Sequence, residues 1–233
     1  VLFSIFVLLS SSFLYGQNAA PVIDAISDPS AILEDASAQT INLTGIGDGD
    51  AGATQTIAVT ATSNNTNLIP NPTVTYSLSA ATGSLTYTPV SHANGSAVIT
   101  VTVTDNGGTA NSGVNSTTRT FTVAVTAVND EPSFTKGADK TVLEDYGITT
   151  YAYWATSIST GPSNESSQSV IFNVSNNNNS LFSGQPAISS SGTLTFTPAS
   201  NANGSATVTV SLSDDGGTAN SGDNTSSNQT FTI

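Results

Sequence analysis

The residues in this chain with chemistry to offer are oxygen donors, and they recur. Asp105 and Asp214 each open an Asp-x-Gly-Gly turn, and Asp48 and Asp50 alternate with glycine in Gly47-Asp48-Gly49-Asp50. Glu34 and Glu144 each stand in a Leu-Glu-Asp triplet, and Asn129, Asp130 and Glu131 run together before Pro132. Carboxylates and amide carbonyls are the ligands of a hard cation; calcium takes about six to eight oxygens and tolerates irregular geometry. The same residues have plainer uses. Aspartate before Gly-Gly suits a hairpin turn, Asp48 and Asp50 suit a solvated loop, Glu34 and Glu144 suit a surface, and Asn129-Asp130 suits a turn between repeats. The single histidine, His92, has no cysteine or second histidine for company, so it reads as a loop residue and not as a transition-metal ligand. The sequence contains no Ser-His-Asp arrangement with usable partners and no glycine-rich phosphate loop, and an enzyme is not expected.

These donors are carried by a repeat. His92 to Asn115 (HANGSAVITVTVTDNGGTANSGVN) aligns with Asn201 to Asn224 (NANGSATVTVSLSDDGGTANSGDN) at 16 identities in 24 positions. A period of 109 positions between Asp105 and Asp214 is the size of an independently cored domain and too long for a solenoid unit. With 37% hydrophobic residues each repeat has enough apolar material for a core. Sixteen acidic against three basic residues give a net charge of −13, which excludes the basic footprint that nucleic-acid binding requires. Cysteine is absent, so no disulfide can brace a domain of this size; calcium is a candidate staple.

The elements that must position the donors are strands. Ile57 to Thr62, Ser84 to Thr88, Ala97 to Thr104 and Thr118 to Val125 alternate apolar residues with Thr or Ser at period two, which puts one face in a core and the other in water. With Ala31 to Glu34, Gln39 to Thr44 and Thr73 to Tyr76 the first repeat has seven strands, the number of an immunoglobulin-like sandwich. The second repeat offers Thr141 to Glu144, Thr149 to Trp154, Ser169 to Val174, Thr193 to Thr197, Ala206 to Ser213 and Thr230 to Ile233. Trp154 is read as a core residue on the second of these strands, with Tyr151 and Tyr153 together on its other face.

In order and spacing the chain resembles cadherin-like repeats, and is most similar to the tandem repeats of large secreted bacterial surface proteins. The likeness rests on Ile99 to Gly108 (ITVTVTDNGG), on Phe121 to Phe134 (FTVAVTAVNDEPSF) with its Val128-Asn129-Asp130-Glu131-Pro132 linker, on the two Leu-Glu-Asp triplets and on Gly47 to Gly52; it spans Pro21 to Ile233. What the resemblance implies is an interdomain calcium site from Glu34, Asn129, Asp130, Glu131 and Asp214, and a further set in the upper loops of the first repeat from Asp48, Asp50 and Asp105. The sequence also departs from the cadherin pattern. Ala127 stands where the linker's first Asp belongs, Val90 to Gly95 replaces an acidic motif, and the second repeat has only Asn164 and Glu165 in place of the Asp-x-Asp loop. Fewer or weaker ions are therefore expected than at a full cadherin junction.

Residues 1–16 are apolar over a length too short to span a bilayer and read as a signal peptide truncated at its start. The expected organisation is that segment, then all-β repeats over residues 17–130 and 131–233, the second with an incomplete last strand. The expected role is a non-catalytic, calcium-stiffened structural or adhesive module, secreted or on a bacterial cell surface, with calcium and an unidentified surface protein or glycan as partners and no membrane insertion. A spacer or carbohydrate-binding module of a secreted polysaccharide-active enzyme is the alternative, favoured if aromatic side chains form an exposed row.

Overall fold

The computed structural model describes residues 17–51 and 54–233, so the expected signal segment lies outside the described residues. Among the described residues the protein is all-β: helical geometry is confined to short 3-10 turns, each three residues long. None of these helices is long and apolar enough to cross a membrane. The chain packs as two compact units. One takes residues 17–30, Ser37–Pro89 and Ser96–Ala124; the other takes Ala31–Ala36, Val90–Gly95 and Val125–Ile233.

Among the described residues seven strands precede residue 127: β1 (Ile32–Leu33), β2 (Gln39–Leu43), β3 (Ile57–Ser63), β4 (Thr73–Tyr76), β5 (Gly83–Tyr87), β6 (Gly95–Asp105) and β7 (Ser116–Thr126). In the first unit β7, β6 and β3 form one sheet and β2, β5 and β4 another. The period-two pattern fills its core: Ala97, Ile99, Val101 and Val103 of β6 and Val123 of β7 are at most 1% exposed, with Leu43 and Leu85 from the other sheet equally buried. Each fully buried aliphatic chain of this size adds about 1.5–3 kcal/mol. β1 belongs with the second unit, where it runs parallel to the end of β7 by pairing Ile32 with Val125 and Leu33 with Thr126.

The second unit adds β8 (Ser133–Thr135), β9 (Thr149–Tyr151), β10 (Thr156–Ser159), β11 (Val170–Asn176), β12 (Phe182–Ile188), β13 (Leu194–Pro198), β14 (Thr207–Asp214) and β15 (Gln229–Thr232). They form the sheets β11–β14–β15 and β12–β13–β9 and the ribbon β10–β8. Aromatic side chains dominate this core. Phe134 meets Phe172 edge-on at 5.0 Å between centroids, and Trp154 lies 4.3 Å from Phe231.

Several details of the second unit differ from the strand pattern of the sequence. The expected strand Thr149 to Trp154 stops at Tyr151; Tyr153 turns out with φ +55° and Trp154 reaches the core from the following bend. Trp154 is 4% exposed, and its indole N–H donates to the Ala138 carbonyl at 3.0 Å, so its one polar atom is satisfied. Tyr151 is half-buried beneath the Lys140 ammonium, while Tyr153 stands in solvent, so the two do not share a strand face and no aromatic row forms there. Thr141 to Glu144 is not a strand: Lys140 N–H bonds to the Thr232 carbonyl, and no ladder follows. β8, β10 and β12 were not legible as strands. β12 contains Gly184 and Pro186, which weaken a period-two reading, and it tolerates them as an edge strand with register shifts against β13.

Candidate metal centre

Strand alternation delivers two of the carboxylates to the inside. In β14, Val208, Val210 and Leu212 point into the core and Asp214 is the next inward position, 8% exposed; in β6, Val101 and Val103 lead in the same way to Asp105, 5% exposed. An inward carboxylate needs partners, and the turn supplies some of them. Asp214 Oδ1 accepts the Gly216 N–H at 2.9 Å and the Asn129 side-chain amide at 3.0 Å. Asn129 also donates to the Asp223 carbonyl at 2.8 Å and accepts from Gln168 Nε2 at 2.7 Å. The first unit repeats this scaffold. Asp105 Oδ1 accepts from Gly107 N–H at 2.9 Å and from Asn18 at 3.0 Å, and Asn18 accepts from Gln55 at 2.7 Å.

The Asp-x-Gly-Gly spacing follows from this packing. A Cβ on Gly216 would collide with Asn129 Oδ1, and one on Gly107 with Asn18 Oδ1. Gly217 and Gly108 sit at φ +85° and +82°, the left-handed region that glycine enters without penalty. Both aspartates are left with a buried Oδ2 that has no hydrogen-bond partner among the described residues.

Three more carboxylates join Asp214, all within the second unit. Glu34, 5% exposed, follows β1; its Oε1 accepts the Val128 N–H at 2.7 Å and its Oε2 lies 3.4 Å from Asn164 Nδ2. Glu165, 6% exposed, closes the 3-10 turn Ser163–Glu165, and its Oε1 accepts the Asp130 N–H at 2.9 Å. Glu165 Oε2 is buried with no partner, and it fits only because Gly161 has no side chain: a Cβ there would overlap that oxygen. Half-buried Asp130 completes the group. Burial pushes the Glu165 carboxyl above its ordinary value of 4.5; the hydrogen bond from Asp130 N–H opposes the rise, and the charges of Asp130, Asp214 and Glu34 add to it. Among the described residues the ion pairs all involve His92, so neither Lys nor Arg neutralises Glu34, Glu165 or Asp214.

Residues named from the sequence thus separate by what they do. Glu34, Asp130 and Asp214 each lie close enough to Glu165 for their charges to act on it, with Asn164 3.4 Å from Glu34, but they do not gather into one ligand shell. Asn129 is adjacent, but its amide is engaged in holding Asp214, Asp223 and Gln168. Glu131 is exposed, and its Oε1 accepts the Ser227 N–H at 2.7 Å. In the first unit Asp50 Oδ1 accepts the Ala19 N–H at 3.1 Å and Asp48 Oδ2 accepts the Gln55 N–H at 3.0 Å, so these two close their own loop around Asp105. Asn18, Gln55 and Gln168 were not singled out from the sequence. A signal for Asn18 existed, since Asn18-Ala19-Ala20-Pro21 has the Asn-x-x-Pro spacing of Asn129-Asp130-Glu131-Pro132.

The Glu165 carboxylate lies in the field of Asp130, Asp214 and Glu34 with no basic partner, and two buried oxygens are unpartnered, which is the kind of donor set a hard cation draws in, though no three of these four carboxylates bring oxygens within 4.8 Å of one another. The residues fit calcium, and Glu34, Asp130, Glu165 and Asp214 are the ones that would hold it.

No family model matches the chain, and no curated protein matches it in sequence. Its likeness is to solved structures of cadherin and immunoglobulin-like domains. The protocadherin gamma B2 extracellular cadherin domains 3–6 share 14% identity at a TM-score of 0.49, over 92% of this chain and 51% of that one. Human protocadherin-24 EC1-2 shares 15% at 0.47, over 93% and 98%. Drosophila N-cadherin EC1-4 shares 16% at 0.46, over 92% and 48%, so the chain spans about half of that structure.

Proposed function

We propose that this protein is a non-catalytic extracellular module of tandem β-sandwich repeats, stabilised by calcium at Glu34, Asp130, Glu165 and Asp214. The observation that carries the reading is the pair of buried, unpartnered oxygens, Glu165 Oε2 and Asp214 Oδ2, in a group of carboxylates without a basic side chain. Without a cation these charges repel one another in a low-dielectric setting; with one, the repulsion becomes attraction. The four ligands come from chain positions as far apart as 34 and 214, so one ion ties the Ala31–Ala36 segment to the body of the second unit. The repeats then serve as a load-bearing spacer of a secreted or cell-surface protein, of bacterial type by the resemblance of the linker. The alternative of a carbohydrate-binding module draws no support from Tyr151 and Tyr153, which do not form a platform.

Calorimetry in chelator and in about 5 mM calcium tests the proposal, a concentration above the ~0.1–1 mM range typical of extracellular calcium modules. Asp130→Ala and Glu34→Ala each remove most of the calcium-induced gain in Tm. Asp139→Ala does not, because Asp139 Oδ1 accepts the Thr232 N–H at 2.9 Å, away from the carboxylate group. An unchanged Tm on calcium addition in the parent chain refutes the reading.

A further inference from the structure

We propose a second metal site of different chemistry beside the first, formed by Asp35 Oδ2, His92 Nδ1 and Asp130 Oδ2 and suited to a late first-row divalent ion such as zinc. His92 Nδ1 lies 3.1 Å from Asp130 Oδ2 and 3.3 Å from Asp35 Oδ2, and the three atoms lie within 4.8 Å of one another. His92 Nδ1 is within hydrogen-bond geometry of Asp130 Oδ2 alone, and Asp35 Oδ2 is a second anionic oxygen brought to the same nitrogen without a hydrogen bond of its own. A shared ion accounts for all three. With metal–ligand distances of about 2.0–2.2 Å, the edges of an octahedral or tetrahedral shell are roughly 2.8–3.6 Å, a range that holds both separations from His92 Nδ1. A nitrogen among the donors favours zinc, nickel or copper over calcium.

The site has a built second layer. Asp35 Oδ1 accepts the His92 backbone N–H at 3.1 Å, which fixes that carboxylate and turns Oδ2 toward the ring. On the other side, the Asp130 N–H is held by Glu165, a residue 6% exposed whose second oxygen is unpartnered, so the negative field around Asp130 is larger than the three ligands alone provide. All of these residues belong to the second unit.

The repeat supplies an internal comparison. In its second copy the same turn has Asp145 and Asn201: Asp145 Oδ1 accepts the Asn201 N–H at 3.0 Å, and Asn201 has φ +58° against +56° for His92. Asparagine and histidine are both among the residues that enter that left-handed conformation most readily. The backbone form is shared by both copies, whereas the ring at position 92 faces two carboxylates, Asp35 and Asp130. His92 lies in an exposed turn, as its sequence context suggests, and the proposal concerns what its ring meets there.

The test is a zinc titration of the full chain by calorimetry in the presence of about 5 mM calcium, which occupies Glu34, Glu165 and Asp214, while the shared Asp130 keeps its Oδ2 turned to His92. One equivalent of zinc is expected to bind. His92→Asn, which keeps the turn in the form its repeat uses, weakens binding at least tenfold, as does Asp35→Asn; the matched variant Asp145→Asn leaves it unchanged. Copper(II) bound in place of zinc shows nitrogen superhyperfine structure in its electron paramagnetic resonance spectrum, lost in His92→Asn. Absence of saturable zinc binding up to about 1 mM, equal affinity in His92→Asn, or a nitrogen-free copper spectrum each overturns the proposal. A chain that responds to calcium but not to zinc refutes this site alone, and one that binds zinc through His92 without a calcium response refutes the earlier reading alone.

Discussion

Replacing Glu165 by glutamine changes one oxygen to an amide nitrogen and reverses the sign of its contribution according to the calcium present. In chelator the wild-type carboxylate is buried, unpartnered at Oε2 and surrounded by the charges of Asp130, Asp214 and Glu34. Glutamine keeps the Oε1 acceptor for the Asp130 N–H and offers N–H donors to the remaining carboxylates, which relieves an uncompensated buried charge for a gain of roughly 1–3 kcal/mol. In calcium the order inverts. An ion at a hundred times its Kd adds about 2.7 kcal/mol, and losing one of four carboxylates removes most of that. The second unit has roughly 120 residues, for which an unfolding entropy of ~2.1 cal/mol/K per residue converts 2.7 kcal/mol into about 10 °C of Tm. Differential scanning calorimetry of wild type and Glu165→Gln, each in chelator and in calcium, should show the variant melting higher in the first condition and lower in the second. The pH dependence has a definite sign. Because the folded carboxyl titrates above its ordinary 4.5, its stabilising contribution is full below that value and is lost as pH rises through the folded pKa, so chelated wild type loses stability from this group toward neutral pH while Glu165→Gln does not. A variant equally destabilised in both conditions would sink the argument and make Glu165 an ordinary structural acid.

Two further perturbations probe the scaffold. Gly216→Ala drives a methyl group into Asn129 Oδ1 and Gln168 Nε2 and destabilises the second unit by about 1–3 kcal/mol, with weaker calcium binding because Asn129 holds Asp214; a neutral Tm in denaturant or thermal melts would show that the turn repacks freely. Trp154→Ala removes a side chain 4% exposed and packed on Phe231, at a loss of about 3–5 kcal/mol, read by urea unfolding; a loss under about 1 kcal/mol would mean that the bend carries Trp154 without depending on it.

The repeat and the all-β class were legible in the sequence, because strand alternation is a local property; the burial of Asp105 and Asp214 was not drawn from it, since the strands run one residue further than expected and carry both aspartates inward. The Gly-Gly after each aspartate was legible as a turn, though not why the first glycine is required, since that depends on Asn18 and Asn129 packing onto it from nearly ninety positions away. Tertiary structure alone decided that Trp154 enters the core from a bend, that Gly161 makes room for the Glu165 carboxylate, and that His92 faces two aspartates. The first depends on where the bend meets Phe231 and Ala138, and the other two on where segments near positions 35, 92, 130 and 165 meet. Periodicity determines which way a side chain points along its own strand, whereas the path of the chain through its loops determines what it meets there, and a carboxylate group or a metal site is made of such meetings.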